Sequence, residues 1–79
     1  MKDHRGASRL RTFKGGIITL PTGVVECVIR NLSPTGALIE LNRLALVPDE
    51  FSLIIKPEGI RRQCRVVRRE KLQLGVQFL

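Results

Sequence analysis

From Gly16 onward, the hydrophobic residues of this chain recur at every second position, in short runs that end at turn-forming residues. In one such run Val25, Cys27 and Ile29 alternate with polar neighbours such as Glu26. Successive side chains of a β-strand point to opposite faces, so this pattern is typical of an antiparallel strand with one buried and one solvated face. The alternation therefore favours β-structure over helices.

Six runs of this kind predict six short strands, at residues 17–20, 25–31, 37–41, 51–55, 60–69 and 72–78. Residues 56–59, Lys-Pro-Glu-Gly, have the composition of a tight hairpin turn. Residues 44–47 are apolar without alternation, and we interpret them as a loop or a single helical turn that covers one barrel end. A chain of 79 residues holds one small core. A flat sheet would expose unpaired edge strands that promote aggregation. We therefore expect an all-β fold, a small six-stranded antiparallel β-barrel.

The first 14 residues lack this alternation and carry much of the positive charge. The formal net charge is +7 at pH 7, divided as +4 over residues 1–14, −2 over residues 15–60 and +5 over residues 61–71. A segment with like charges and no apolar face has little surface to bury. We therefore expect a flexible basic arm over residues 1–14, a barrel over residues 15–79 and a partner that carries phosphate.

The chain lacks the residue clusters that catalysis or metal binding requires. Its single histidine, His4, lies in the predicted arm, and Cys27 and Cys64 lie in predicted strands, where reduced core thiols are expected. The sequence contains no phosphate loop of the Walker or Rossmann kind, and a small barrel has little room for an enclosed pocket. We therefore expect no enzyme, no metal and no cofactor.

Hydropathy argues against membrane insertion. No window approaches the roughly 18 apolar residues of a membrane span, and the N-terminus has no apolar run of signal-peptide length. We therefore expect a cytoplasmic protein.

Two separated motifs give the most specific signal. The first is Arg5-Gly6-Ala7-Ser8-Arg9, and the second is Asn31-Leu32-Ser33-Pro34-Thr35-Gly36. Together with the closing run Leu74-Gly75-Val76-Gln77-Phe78, they resemble the RxxxR and D/N-x-S-x-x-G signatures of the PilZ domain family. The resemblance extends over residues 5–79. It implies a bacterial six-stranded barrel that binds the second messenger cyclic di-GMP and passes the signal to a partner protein.

The resemblance places Arg5, Arg9, Asn31, Ser33 and Gly36 in the ligand site, and their chemistry agrees with it. Cyclic di-GMP carries two phosphates and two guanines, and an arginine fork can meet O6 and N7 of guanine bidentately. An asparagine amide can donate and accept along a guanine edge, a serine hydroxyl can reach a phosphate or base, and glycine permits close backbone approach. We expect the arm to order on binding, because charge-assisted hydrogen bonds to a dianion can offset its lost entropy.

A further contact is predicted at Arg68, where related sequences often carry an aromatic residue near a guanine. The guanidinium plane can also stack on a base. The rest of this second basic block is either a solvated face or part of a shared anion site; its members are Arg61, Arg62, Arg65 and Arg69. Another departure is His4, which stands where many family members have an additional arginine and bears on whether one or two ligand molecules bind.

Other interpretations remain open at this stage. The departures at His4 and Arg68 are compatible with a degenerate domain that has lost the nucleotide and acts as a protein-interaction adaptor. The net charge is compatible with a small basic nucleic-acid-binding barrel, but single-strand binders stack bases on aromatic residues, and the chain has only three Phe and no Trp or Tyr. Nucleic acid is therefore the less favoured partner. The simplest alternatives are a solvated tail at Arg5 and Arg9 and a plain hairpin connection capped by the Ser33 hydroxyl.

Overall fold

A computed structural model describes residues 10–79, and this part of the chain is all β. Its strands are β1 (Leu10–Leu20), β2 (Gly23–Leu32), β3 (Gly36–Leu41), β4 (Glu50–Ile55), β5 (Ile60–Arg69) and β6 (Gln73–Phe78). All neighbouring strands are antiparallel, and they close into a barrel in the order β1-β2-β3-β6-β5-β4. The predicted six-stranded antiparallel barrel is confirmed.

Apolar side chains from alternate strand positions fill the barrel. The most deeply buried come from five different strands and are Ile18, Ile29, Ile39, Leu53 and Cys64. Among the described residues no polar or charged side chain is buried. A narrow barrel filled in this way uses its interior for packing, so a ligand of nucleotide size has to bind on the outer surface.

The first strand is longer than the sequence predicted. We expected it at residues 17–20, but β1 begins at Leu10, so residues 10–14 of the predicted arm are paired with β2. The alternation is lost there because Gly15 and Gly16 contribute no side chains and because the register shifts between Arg11 and Lys14. Backbone pairing, which a side-chain pattern does not reveal, forms this part of the strand. The rest of the predicted arm, residues 1–9, lies outside the described residues.

The connection between β3 and β4, residues 42–49, contains neither helix nor strand, so of the two predicted possibilities it is the loop. Val47 is buried and Ala45 packs against the core, whereas Leu44 and Leu46 are exposed. Alternate side chains of this loop therefore cover part of the core. The β4–β5 turn occupies residues 56–59 as predicted, and Gly59 adopts a φ of 77° there.

Cys27 and Cys64 are free and buried, as predicted. Burial, together with a smaller effect from the nearby Cys64, raises the pKa of the Cys27 thiol from 9.0 to about 12. Burial also raises the pKa of the Cys64 thiol, to about 11. Because the thiolate is the reactive form, both groups are chemically inert core residues near neutral pH.

We expect both thiols to resist iodoacetamide at pH 8 in the folded protein and to react rapidly in concentrated guanidinium chloride. The folded-state pKa values lie above the ordinary value, so the protonated thiols favour the folded state below pH 9, and the free energy of unfolding falls as the pH rises toward 11 and 12. Mass spectrometry of the labelled protein measures the first effect and denaturation at several pH values the second. Rapid labelling of either native thiol would contradict this assignment.

Candidate functional site

An open groove of about 540 Å³ lies on the outer face of the barrel. A row of directly paired residues crosses it: Asn31 of β2 is opposite Leu38 of β3, Leu38 is opposite Gly75 of β6, and Gly75 is opposite Arg68 of β5. The groove therefore spans four neighbouring strands, with an amide side chain at one side and a guanidinium at the other. Its volume lies within the range of about 300–1,000 Å³ that is usual for small-ligand sites.

All four predicted site residues in the described part of the chain line this groove. They are Asn31, Ser33, Gly36 and Arg68. They come from the β2–β3 region and from β5, and the closing of β3 on β6 brings them together. The other two predicted ligand residues, Arg5 and Arg9, lie outside the described residues, as does His4.

The Ser33 hydroxyl stabilises the turn between β2 and β3. It accepts hydrogen bonds from the backbone N–H groups of Thr35 and Gly36, at 3.3 and 3.2 Å. It also lies 3.3 Å from the Gly36 carbonyl and 3.3 Å from the Thr35 hydroxyl. The backbone N–H of Ser33 donates to the same Gly36 carbonyl at 2.9 Å. Serine is favoured at such turns because its hydroxyl replaces backbone partners locally, and here it fixes the wall of the groove.

Gly36 lies at a close approach between the backbones of β3 and β6. A Cβ atom at this position would lie 2.3 Å from the carbonyl oxygen of Val76, far inside van der Waals contact. Only glycine allows the two backbones to approach in this way. The glycine of the second motif therefore serves strand pairing at the groove.

Two register shifts flank the groove. One lies in β2 between Ile29 and Asn31, and the other lies in β5 between Val66 and Arg68. A β-bulge changes the direction of the side chains that follow it and is frequent near binding sites. The bulges place both Asn31 and Arg68 on the outer face.

A comparison with protein families matches residues 3–79 of the chain to the PilZ domain. The chain belongs to the PilZ domain family. This confirms the resemblance that the two motifs indicate, and it identifies the barrel as one of a family of cyclic di-GMP receptor domains that act in binding and as adaptors. A comparison with curated proteins finds no match.

In this PilZ domain, most of the second basic block is engaged away from the groove. Arg65 pairs with Glu50 at 3.1 Å, and Arg69 pairs with Asp49 at 2.9 Å. The guanidinium carbon of Arg62 lies 4.1 Å from the ring centroid of Phe78. Of the five arginines in the block, only Arg68 lines the groove. The other four lie outside the groove lining.

Arg68 stands at the groove with most of its side chain in solvent. Its guanidinium lies 3.6 Å from the Glu70 carboxylate, and the two side chains are 70% and 56% exposed. An ion pair this exposed is weak and readily exchanged for another partner. A Cβ at the opposite residue, Gly75, would lie 3.3 Å from the Cβ of Arg68, so the glycine leaves space beside the arginine.

Sequence reasoning missed the apolar side chains of the groove. Leu38 and Val67 line it, together with the backbone of Gly75. A signal was present at Leu38, because it interrupts the alternation between Ala37 and Ile39 with an apolar residue at an outward position. Its place beside Asn31 and Gly75 depends on strand register, which the alternation alone does not provide.

The described residues, 10–79, form strands, turns and loops. No helix there is long and apolar enough to cross a membrane. Nor does that part of the chain contain a group of three or more His, Cys, Asp or Glu residues positioned to hold a metal ion.

We expect Gly36→Ala to lower the free energy of unfolding by about 1–3 kcal/mol, because a methyl group would collide with a backbone carbonyl that cannot move independently. Gly15→Ala is the matched control: its added Cβ meets only the flexible Lys56 side chain, at 3.3 Å, and we expect a change below about 1 kcal/mol. Urea denaturation of both variants measures the difference. Equal stabilities would show that the β3–β6 contact is not required for closure.

Proposed function

We propose that this PilZ domain binds cyclic di-GMP in the outer groove and that Arg5 and Arg9 complete the site from the N-terminal arm. One observation carries the proposal. A single groove of suitable volume is lined by four residues whose chemistry suits the ligand and which come from two distant parts of the sequence: Asn31, Ser33, Gly36 and Arg68. Asn31 and Arg68 are the side chains that contact the ligand, whereas Ser33 and Gly36 shape the wall through the contacts of the turn.

The dimensions of the groove suit a ligand with two nucleotides. Asn31 and Arg68 are separated by three strand spacings of about 4.8 Å each, up to roughly 14 Å along the curved sheet. The Asn31 amide can read the edge of one guanine, and the Arg68 guanidinium can bind or stack on a second base or reach a phosphate. Leu38 and Val67 provide apolar surface between them.

The start of β1 explains how the arm can reach this ligand. Leu10 is paired with Leu32, and Arg11 is paired with Asn31, so Arg9 immediately precedes a residue fixed beside the groove. Arg5 lies five residues before Leu10, and an extended chain of that length reaches roughly 17 Å. The arm is therefore long enough to cross the groove and place both arginines on a bound dianion.

Ligand-induced ordering of the arm supplies a mechanism of signalling. The groove is open, so an arm that closes over it replaces the surface around Asn31 with a new one formed by the arm and the ligand. A downstream partner protein can distinguish these two surfaces. The entropy lost by the arm is offset by charge-assisted hydrogen bonds from Arg5 and Arg9.

The pairing of surface charges disfavours nucleic acid as the partner. A long polyanion binds along a continuous track of unpaired cations. On β5, the carboxylates of Glu50 and Asp49 lie beside Arg65 and Arg69 and lower the net positive charge of the arginine run, which makes it a poor track of this kind. A small ligand held between the groove and the arm needs none.

We expect titration calorimetry to show saturable binding of cyclic di-GMP. Arg9→Ala should remove most of the affinity, because a charged hydrogen bond contributes about 1.5–3 kcal/mol, and Asn31→Ala should weaken binding by about 0.5–1.5 kcal/mol. Gln63→Ala is the control for Asn31, since Gln63 bonds to Ser52 on the outer face and does not line the groove. The absence of heat at tens of micromolar ligand, with the fold intact, would refute the proposal and favour an adaptor that no longer binds the nucleotide.

A second prediction separates a local contact from general electrostatic attraction. Arg68→Ala should weaken cyclic di-GMP binding about ten-fold, as expected for the loss of a stacking or ionic contact. Arg61→Ala removes the same charge from an exposed position of the same strand that does not line the groove, so it should change the affinity by less than about two-fold at physiological salt. Equal losses in the two variants would mean that Arg68 acts only through net charge.

A further inference from the structure

Phe13 is exposed although the barrel buries its other aromatic residues. Of the three phenylalanines in the chain, Phe51 and Phe78 are 4% and 8% exposed, whereas Phe13 is 74% exposed. Burial of a phenylalanine is strongly favourable, so an exposed ring on a paired strand is unusual. The ring contributes little to the core and is available for another contact.

Phe13 lies close to Asn31 along the paired strands β1 and β2, although it is not itself among the residues that line the groove. Phe13 is within the register shift of β1 between Arg11 and Lys14, and Arg30 is within the facing shift of β2 between Ile29 and Asn31. Arg11, immediately before the shift in β1, is paired with Asn31. Both strands therefore break their regular register at the same place, where a bulge can redirect side chains toward the groove.

The Arg30 guanidinium packs against the Phe13 ring. The guanidinium carbon of Arg30 lies 4.8 Å from the ring centroid of Phe13, and Arg30 donates a hydrogen bond to the carboxylate of Glu40 on β3. The ion pair fixes the guanidinium, and the cation–π contact restricts the ring. A ring that is already oriented loses less entropy when a ligand stacks on it.

We propose that Phe13, supported by Arg30 and Glu40, is a base-stacking contact of the ligand site. This inference rests on the proposed binding of cyclic di-GMP and adds a residue that neither motif contains. The guanine whose edge is held by Asn31 stacks on the exposed face of Phe13. Because stacking on an aromatic ring tolerates any base, Phe13 contributes affinity, and Asn31 contributes the preference for guanine.

The absence of tryptophan and tyrosine makes this contact directly observable. Phe13→Trp introduces a single fluorophore, and a guanine stacked on the indole ring quenches its emission. We expect saturable quenching by cyclic di-GMP. Val24→Trp is the control, because Val24 is 57% exposed but lies seven residues before Asn31 along β2, toward the β1–β2 turn. Its emission should not change on titration.

Calorimetry on Phe13→Ala and Phe13→Leu measures the affinity. We expect Phe13→Ala to bind cyclic di-GMP about ten-fold more weakly, in the range typical of a lost aromatic stack, and Phe13→Leu to recover only part of the loss. Both variants should lose little thermal stability, because the ring is exposed and only its cation–π contact with Arg30 is removed.

The outcomes separate the two proposals. Wild-type binding with unchanged affinity of Phe13→Ala and no quenching of Phe13→Trp would overturn the stacking contact and leave the proposed function in place. Failure of the wild-type chain to bind cyclic di-GMP would overturn both.

Discussion

The close approach of β3 and β6 at Gly36 is the contact on which both the barrel and the groove depend. This pairing joins strands that are not consecutive in sequence, and it brings the β1–β2–β3 meander against β5 and β6. A carbonyl oxygen occupies the space of a side chain at Gly36, so the approach is possible only with glycine. Without it Asn31 and Arg68 would lie on separate surfaces.

The second motif therefore contains two kinds of residue. The Ser33 hydroxyl already accepts two backbone N–H groups and lies near two further oxygens, which leaves it little capacity for a ligand. Gly36 has no side chain to offer. Asn31, which precedes the turn, has an amide side chain at the groove and is the residue of the motif best suited to read a base. The turn keeps that amide and the β3 strand in a fixed relation.

The strands that have one apolar and one polar face, such as the run Val25, Cys27 and Ile29, could be predicted from the sequence. The part of β1 at residues 10–16 could not be predicted, because two glycines and a register shift remove the alternation of side chains there. Backbone pairing does not need that alternation, so the strand forms without it. The resemblance to the family identified Asn31 and Arg68 as site residues, but one at a time. Their position on one groove, and the presence of Leu38 between them, follow from cross-strand register and from bulges in β2 and β5. Such features depend on the packing of the whole barrel, so a local pattern does not reveal them.

The distribution of charge supports the proposal of a small anionic ligand. Carboxylates of Glu50, Asp49 and Glu58 pair with Arg65, Arg69 and Lys14, all of them outside the groove lining. Exposed pairs of this kind add little stability, but each lowers the local attraction for anions. Arg68 has only a long, exposed contact with Glu70, and residues 1–9, which precede β1, carry Lys2, Arg5 and Arg9 against Asp3, a formal charge of +2. This distribution of charge supports the proposed compact ligand with two phosphates over an extended polyanion.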